Sequence, residues 1–242
     1  MSRATRRALA EGIGTYFLVL IGPGAMMVNE STGGVIGHAG VALAFGFVVL
    51  AMIYAIGHLS GAHINPAVTI AFWSVGRFPR PDVVRYVLAQ VAGATAAAAS
   101  LAFIVESDAG SGATVPAIPV GPALALEWLL SFALMFVIMA VATDDRVADG
   151  FAGVAVGLTV GFCAMMGGPL TGASMNPARS FGPAVAGGIW EAHWIYWVAP
   201  ITGMIAGARV YEVLRPAGIS ETARPLGVQG PIDTELGGEA LK

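Results

Sequence analysis

One three-residue phrase, Asn-Pro-Ala, occurs twice in this chain, each time in an apolar stretch that glycines interrupt. The two copies are Asn65-Pro66-Ala67 and Asn176-Pro177-Ala178. Their surroundings also repeat, because residues 60–67 align one to one with residues 171–178. Matched segments that are broken by Gly or Pro in the two halves of a membrane chain indicate a functional site at the interface between the halves. The pattern therefore predicts a pore between two related halves.

The composition is that of an integral membrane protein. Of the 242 residues, 56% are hydrophobic and 11% are charged, and the mean hydropathy is +0.76. The formal net charge of -3 and the lack of a basic cluster give no indication of nucleic-acid binding. Cys163 is the single cysteine, so an intrachain disulfide is excluded. We interpret the basic segment 1–7 as the flank of the first span and not as a removable signal.

Six segments have the length and composition of membrane spans, which need about 20 mainly apolar residues. They are roughly 8–28, 39–57, 82–105, 121–143, 150–166 and 193–214, of which the fifth is short and could be extended by its flanks. Two shorter apolar segments, 66–75 and 177–187, begin at the motif prolines, and proline is favoured in the first turn of a helix. We therefore predict an all-α integral membrane fold with six transmembrane helices and two re-entrant half-helices, arranged as an inverted internal repeat. The glycine-containing stretches 57–64 and 167–175 would be non-helical, which at membrane depth requires burial in protein or contact with water.

These spans define one domain, 1–214, with repeat halves at about 5–115 and 120–214. The remaining segment, 215–242, is polar and contains Gly and Pro, and we predict that it is a disordered cytoplasmic tail. An alternative in which the motif prolines only kink ordinary helices is disfavoured, since it requires two such kinks at equivalent positions.

The basic residues indicate the orientation of the chain. Eleven of the twelve lie in segments that an even number of spans places on one side, which the positive-inside rule identifies as the cytoplasm. The opposite loops carry acidic residues but neither Lys nor Arg. We therefore predict a multi-pass protein with both termini in the cytoplasm. All basic residues except Lys242 are arginine, which favours a GC-rich bacterium and its cell (inner) membrane.

Three ionisable residues lie well inside the predicted membrane segments. Arg179 follows the second motif, and an intramembrane cation is functional by default; the alternative is a buried salt bridge. Glu11 and Glu127 occupy equivalent positions on the first helix of each half. Their carboxylates could accept hydrogen bonds from backbone N–H groups of the re-entrant loops. A proton relay is disfavoured, because it needs a chain of ionisable groups that the spans do not supply.

The doubled motif, Arg179 after its second copy, and the Glu11/Glu127 pair resemble the aquaporin (major intrinsic protein) family over roughly 5–214. The resemblance implies six tilted helices, two half-helices that meet at the bilayer centre, one pore per protomer and a homotetramer. It also implies that Asn65 and Asn176 cap the half-helices and donate hydrogen bonds to a permeating oxygen. A ladder of backbone carbonyls would come from Gly61, Ala62, His63, Ile64, Gly172, Ala173, Ser174 and Met175.

The resemblance further implies an outer constriction of four residues, which are Phe45, Ala164, Ala173 and Arg179. Phe45 and its neighbours resemble water-selective bacterial members, and Ser180, Ala184 and the aromatic pair Tyr196-Trp197 also match the water-channel pattern. Ala164 departs from that pattern, because water-selective members usually carry histidine there. Two alanines leave a wider and less polar constriction, so the chain combines a water-channel frame with an enlarged filter.

The sequence thus predicts a passive channel for water, and also for small uncharged solutes, that excludes protons and ions and uses no cofactor. Its predicted partners are the permeating molecules, the lipid bilayer and further copies of the chain, and not nucleic acid. Two alternatives remain: a broader facilitator of glycerol, urea or ammonia, and a coupled secondary transporter, since such transporters also use inverted repeats and broken helices. An enzyme is disfavoured, because the spans supply no nucleophile–base constellation.

Two histidines and the cysteine give weaker signals. His58 and His63 have no Cys or Asp nearby, so no metal site is predicted. We interpret them as loop-packing residues near the cytoplasmic mouth, with gating by His63 as the alternative. Cys163 is interpreted as a small core residue and not as a pore thiol, because it adjoins Ala164 and successive helical side chains point about 100° apart.

Overall fold

The computed structural model describes residues 1–105, 112–144, 147 and 150–215. Within them the chain forms helices and no strand, which confirms the predicted all-α class. The helices are α1 (Arg3–Ser31), α2 (Gly37–Ser60), α3 (Pro66–Ser74), α4 (Arg80–Ile104), α5 (Val120–Thr143), α6 (Ala152–Thr171), α7 (Pro177–Gly187) and α8 (Ile195–Leu214). The predicted tail 215–242 lies outside the described residues except for Arg215.

Five helices, α1, α2, α4, α5 and α6, are long and apolar enough to cross a membrane. The sixth predicted span is α8, whose 20 residues cover about 30 Å, the thickness of the hydrocarbon core. It packs along α5 as α4 packs along α1, and α5 packs on α6 as α1 packs on α2. The half-helix α3 packs on α8, and α7 packs on α4, so that each half of the chain holds the half-helix of the other. These exchanged contacts are those of two halves related by a two-fold axis.

The predicted fifth span, 150–166, is extended by its C-terminal flank, because α6 continues to Thr171; the prediction that residues 167–171 are non-helical is wrong. Pro169 lies in its last turn and cannot donate to the carbonyl of Met165, four residues earlier. That carbonyl instead accepts a hydrogen bond of 2.7 Å from Nε2 of His38, on α2. The proline is therefore tolerated inside the helix because a neighbouring helix satisfies the backbone group that it frees.

Non-helical backbone at the motifs is confined to residues 61–65 and 172–176. We call residues 61–64 and 172–175, which precede the two motif asparagines, the motif loops. Both are shorter than the predicted stretches, because the glycines before them are helical. Gly61 and Gly172 end α2 and α6 in the left-handed conformation, with φ of 93° and 84°. The half-helices α3 and α7 begin at the two motif prolines, where the sequence predicts them.

Glycines allow close helix crossings at two equivalent places. A Cβ atom on Gly93 of α4 would lie 2.1 Å from the carbonyl oxygen of Gly12 on α1. In the second half, a Cβ atom on Gly203 of α8 would lie 2.5 Å from the carbonyl oxygen of Trp128 on α5. Small residues let membrane helices approach in this way, so the two crossings set the spacing of the long helices around the motif loops.

Alanine at Gly93 is expected to lower the stability of the protein in detergent. The added methyl group overpacks the crossing, at a cost of about 1–3 kcal/mol. The matched control is Gly121→Ala, because Gly121 is helical, has nothing within 4 Å of an added Cβ, and gains the same helix propensity. Thermal unfolding of the two variants in detergent is the measurement. Equal transition temperatures would contradict a tight contact between α1 and α4.

Candidate functional site

The two motif asparagines bring the N-termini of α3 and α7 together. The side-chain Oδ1 of Asn65 accepts a hydrogen bond from Ala67 N (2.8 Å), and Oδ1 of Asn176 accepts from Ala178 N (3.0 Å). Each side chain therefore caps its own half-helix. In addition, Asn65 Nδ2 donates to the Met175 carbonyl (2.8 Å), and Asn176 Nδ2 donates to the Ile64 carbonyl (2.9 Å). An amide nitrogen has two hydrogens, so these bonds leave each asparagine with one further donor.

The motif loops share an unusual backbone conformation. Non-glycine residues have positive φ at the same places in both loops: 46° and 44° at Ala62 and Ile64, and 40° and 50° at Ala173 and Met175. Left-handed φ is strained for residues that carry a Cβ, above all for a β-branched one, and such residues persist only where their surroundings hold them. The surroundings of these loops must therefore fix them from behind.

Two buried carboxylates hold the loops in that conformation. Glu11 accepts hydrogen bonds from the backbone N–H groups of His63 (2.9 Å) and Ile64 (2.6 Å). Glu127 accepts from the N–H groups of Ser174 (2.8 Å) and Met175 (2.9 Å). Both glutamates have 0% exposure and lie on the first helix of their half. They satisfy backbone donors that lipid could not.

Side-chain hydroxyl groups also help to hold each motif loop in place. The sequence analysis did not predict most of these groups. Ser60 donates to Glu11 (2.7 Å) and accepts from Ala62 N; Thr171 donates to Glu127 (2.7 Å) and accepts from Ala173 N. The phenol groups of Tyr86 and Tyr196 donate to the backbone carbonyls of these two residues, at 2.8 and 2.7 Å. The missed signal was the equivalent position of the two tyrosines on α4 and α8. Gln90, Thr69 and Thr114 also join these networks.

A cavity of about 610 Å³, open ends included, lies between the two halves. Most of the predicted pore residues line it, namely Phe45, Ala62, His63, Ile64, Asn65, Ala164, Ala173, Ser174, Met175, Asn176 and Arg179. The remaining lining residues are Leu, Ile and Val side chains. The cavity is thus an apolar passage with polar groups at the motif loops, at the asparagines and at Arg179.

The other predicted site residues lie behind this lining. Pro66, Ala67, Pro177 and Ala178 are buried in the first turns of the half-helices, and Gly61 and Gly172 end α2 and α6. Cys163 is buried and is not among the lining residues. His58 is exposed, whereas His63 lines the cavity with Nδ1 3.0 Å from the Thr69 hydroxyl. The two histidines are therefore not equivalent, and only His63 could influence passage.

Arg179 is buried, with 1% exposure, yet its guanidinium has only neutral hydrogen-bond acceptors among the described residues. Nη1 donates to the Gly112 carbonyl (2.9 Å), and Nη2 donates to the sulfur of Met26 (3.1 Å). Its carbon Cζ lies 5.1 Å from the ring centre of Phe45, and Nε has no hydrogen-bond partner among the residues that the structure describes. The ion pairs found in the described part of the chain involve other arginines. The cation therefore has N–H donors at the cavity that none of the described residues accepts.

The electrostatics of the cavity are positive at two levels. Each half-helix has a partial positive charge at its N-terminus, and the two N-termini meet at Asn65 and Asn176. Arg179 adds a full positive charge one turn into α7. Apolar walls strengthen both effects, because charges interact more strongly where water is scarce. The arrangement favours an uncharged oxygen-bearing molecule and opposes a cation.

Known proteins resemble this chain both in sequence and in fold. A family model described as Major intrinsic protein matches residues 1–211. Aquaporin NIP1-2 from Oryza sativa subsp. japonica is 47% identical over 215 residues, which cover 86% of this chain and 71% of that protein. Nodulin-26 from Glycine max is 47% identical over 212 residues, covering 87% and 78%. The X-ray structure of the aquaglyceroporin from Plasmodium falciparum superposes with a TM-score of 0.79 at 25% identity, covering 86% of this chain and 96% of that one.

Proposed function

Because the chain belongs to the major intrinsic protein family, we propose that it is a passive channel for water and small uncharged solutes that excludes protons and other ions. The family is one of membrane channels and not of enzymes, so flux follows the osmotic or concentration gradient without a chemical step. The observation that carries the proposal is the cavity in which Arg179, Phe45 and both motif asparagines meet.

A permeating molecule would pass from one fixed hydrogen-bonding group to the next. The free amide hydrogens of Asn65 and Asn176 can donate to its oxygen, while carbonyl groups of the motif loops accept its hydrogens. The carbonyls of Ile64 and Met175 already accept one hydrogen bond each, but a carbonyl oxygen has two lone pairs. Apolar side chains elsewhere on the wall offer no competing partner, which supports rapid passage in single file.

The same groups would exclude ions. A cation loses its hydration shell in an apolar passage and meets the positive ends of two half-helices and the charge of Arg179. Half-helix dipoles and an arginine are the general means by which aquaporin-type pores exclude protons and cations, and this chain contains both. Water that donates no hydrogen toward the asparagines cannot complete a proton wire there.

The small residues of the constriction support a solute range beyond water. Ala164 and Ala173 line the same cavity as Phe45 and Arg179 and add neither bulk nor a hydrogen-bonding side chain. Among the relatives, one is named an aquaporin and one an aquaglyceroporin, which is in keeping with either outcome. A broader facilitator of glycerol, urea or ammonia is therefore the second candidate function.

We also propose the orientation of the channel, the membrane that contains it and its oligomeric state. The distribution of basic residues favours cytoplasmic N- and C-termini and a cell (inner) membrane. A homotetramer is proposed from the resemblance to the family, with one pore in each protomer. The protein itself is a multi-pass membrane protein, as its family and its apolar helices establish.

Stopped-flow light scattering on proteoliposomes tests the proposal. Vesicles that contain the protein should shrink in a sucrose gradient many times faster than empty vesicles, and in a glycerol gradient they should then re-swell. Permeability that does not saturate with solute, and that is unaffected by a proton or sodium gradient, would exclude a coupled transporter. Shrinkage no faster than that of empty vesicles, with folded protein present, would contradict the channel.

Histidine at Ala164 is expected to suppress glycerol flux much more than water flux. The imidazole narrows the constriction, so glycerol permeability should fall by about tenfold or more, the factor that corresponds to ~1.4 kcal/mol in a barrier. Ala164→Ser is the matched control, because it adds a polar group with little bulk and should change the glycerol-to-water ratio only slightly. An equal loss of both fluxes in the histidine variant would mean that Ala164 does not face the constriction.

A further inference from the structure

One turn of α1 lies beside the guanidinium of Arg179 and beside the groups that contact it. Gly22 and Met26 are four residues apart, so they lie on the same face of the helix. A Cβ atom on Gly22 would lie 2.3 Å from the ring of Phe45, which shows that this ring packs directly on α1 at that point. The ring in turn lies 5.1 Å from Cζ of Arg179. Because Gly22 has no side chain, the Phe45 ring of the constriction can approach α1 closely.

The second contact of Arg179 also rests on this turn. Gly112, whose carbonyl accepts from Nη1, has a φ of 74°, and a Cβ atom there would lie 2.7 Å from the Pro23 side chain. The backbone that presents the carbonyl is therefore seated against α1. Three different contacts of one cation, to Phe45, Gly112 and Met26, converge on residues 22–26.

Met26 is the residue of α1 that contacts Arg179 directly. We propose that Met26 is a positioning residue for the constriction: its thioether accepts from Nη2 of Arg179 and thereby fixes the plane of the guanidinium and the size of solute that passes. The inference rests on the proposed channel function and extends it to a residue outside the constriction. Met26 is not among the residues that line the cavity, so it acts through Arg179.

The sulfur matters because Arg179 has few acceptors. Its two partners among the described residues are both neutral, and the thioether is a weak but polarizable acceptor. Without it Nη2 loses its partner, and rotation of the guanidinium about its remaining bond to Gly112 becomes possible. A mobile guanidinium would leave a wider and less selective opening beside the two alanines.

Two substitutions of Met26 separate this role from packing. Met26→Leu keeps an apolar side chain of similar volume and removes the acceptor, whereas Met26→Gln keeps the length and supplies an oxygen acceptor. The proposal predicts that the leucine variant raises the glycerol-to-water permeability ratio by about two- to fivefold, the factor that corresponds to the weaker part of the range for one net hydrogen bond, because a thioether is a weak acceptor. The glutamine variant should keep the wild-type ratio. Met27→Leu is the matched control, since Met27 is a fully buried neighbour and the described hydrogen bonds of the Arg179 guanidinium go to Gly112 and Met26.

The measurement is stopped-flow light scattering on proteoliposomes, with water and glycerol gradients for each variant and size-exclusion profiles to verify folding. A purely structural role predicts the opposite order: leucine neutral, and glutamine disruptive because it buries a polar group. That order, or an unchanged ratio in a conducting leucine variant, would overturn the inference. Wild-type vesicles no faster than empty ones would overturn the proposed function, and this inference with it.

Discussion

Leucine in place of Glu127 is expected to prevent recovery of a folded channel. The carboxylate accepts from the N–H groups of Ser174 and Met175 and from the Thr171 hydroxyl, and it is fully buried. Leucine leaves the N–H groups of Ser174 and Met175 without this acceptor at membrane depth, and the Thr171 hydroxyl keeps only its 3.4 Å hydrogen bond to the Gly167 carbonyl. Each orphaned amide costs about 2–7 kcal/mol, so two of them approach the ~5–15 kcal/mol of net stability that folded domains have. The strained loop would no longer be held, and the pore would lose its lining.

The yield of monodisperse protein in size-exclusion chromatography, followed by water flux in proteoliposomes, measures this effect. Glu127→Gln should be intermediate, because glutamine keeps one acceptor oxygen but turns an amide nitrogen toward an N–H donor. Glu191→Leu is the matched control, since Glu191 is exposed in the segment between α7 and α8 and should tolerate the change. Wild-type yield and flux from the Glu127→Leu variant would contradict the supporting role of the carboxylate.

Local chemistry made much of the fold predictable. Proline at the first turn of α3 and α7 and the asparagine before it are signals that a sequence carries by itself, and the starts of both half-helices agree. The end of α6 was not predictable in this way. Glycine and proline at 167–169 are typical of a helix end, but a distant side chain, His38, accommodates Pro169 by bonding to the carbonyl that it frees. Such compensation is a tertiary contact, and no local pattern announces it.

Some residues of the candidate site could likewise be predicted from the sequence, and others could not. Residues that occur in equivalent pairs, such as Glu11 and Glu127, could be found because the repeat marks them twice. Gly112 and Met26 do not belong to such a pair. Each contacts Arg179 only in the folded chain, and both are far from Arg179 in the sequence, so no periodic pattern predicts the contacts. The halves also differ at the proposed constriction, since the residue of the first half that aligns with Arg179 is Val68. Symmetry explains the frame of the pore, and its departures explain the proposed selectivity.

Valine in place of Arg179 is expected to keep water flux and to admit ions. The substitution removes the full positive charge from the cavity and leaves the half-helix N-termini as the remaining barrier. Opposition between two like charges 4 Å apart amounts to about 4 kcal/mol at an effective dielectric constant of 20, so leak of sodium or protons should rise by an order of magnitude or more. Glycerol flux should also rise, because the guanidinium no longer fills the opening beside Ala164 and Ala173.

Lysine at the same position separates charge from shape. Arg179→Lys keeps the positive charge but loses the planar set of donors that binds Gly112 and Met26. Ion tightness should therefore survive in this variant while the glycerol-to-water ratio changes. Arg209→Val is the matched control, since Arg209 is exposed on α8, and should alter neither quantity. A pH-sensitive dye and a potential-sensitive dye inside proteoliposomes report both leaks. If the valine variant stays as tight as the wild type, the half-helix dipoles alone exclude ions, and Arg179 serves only to select among neutral solutes.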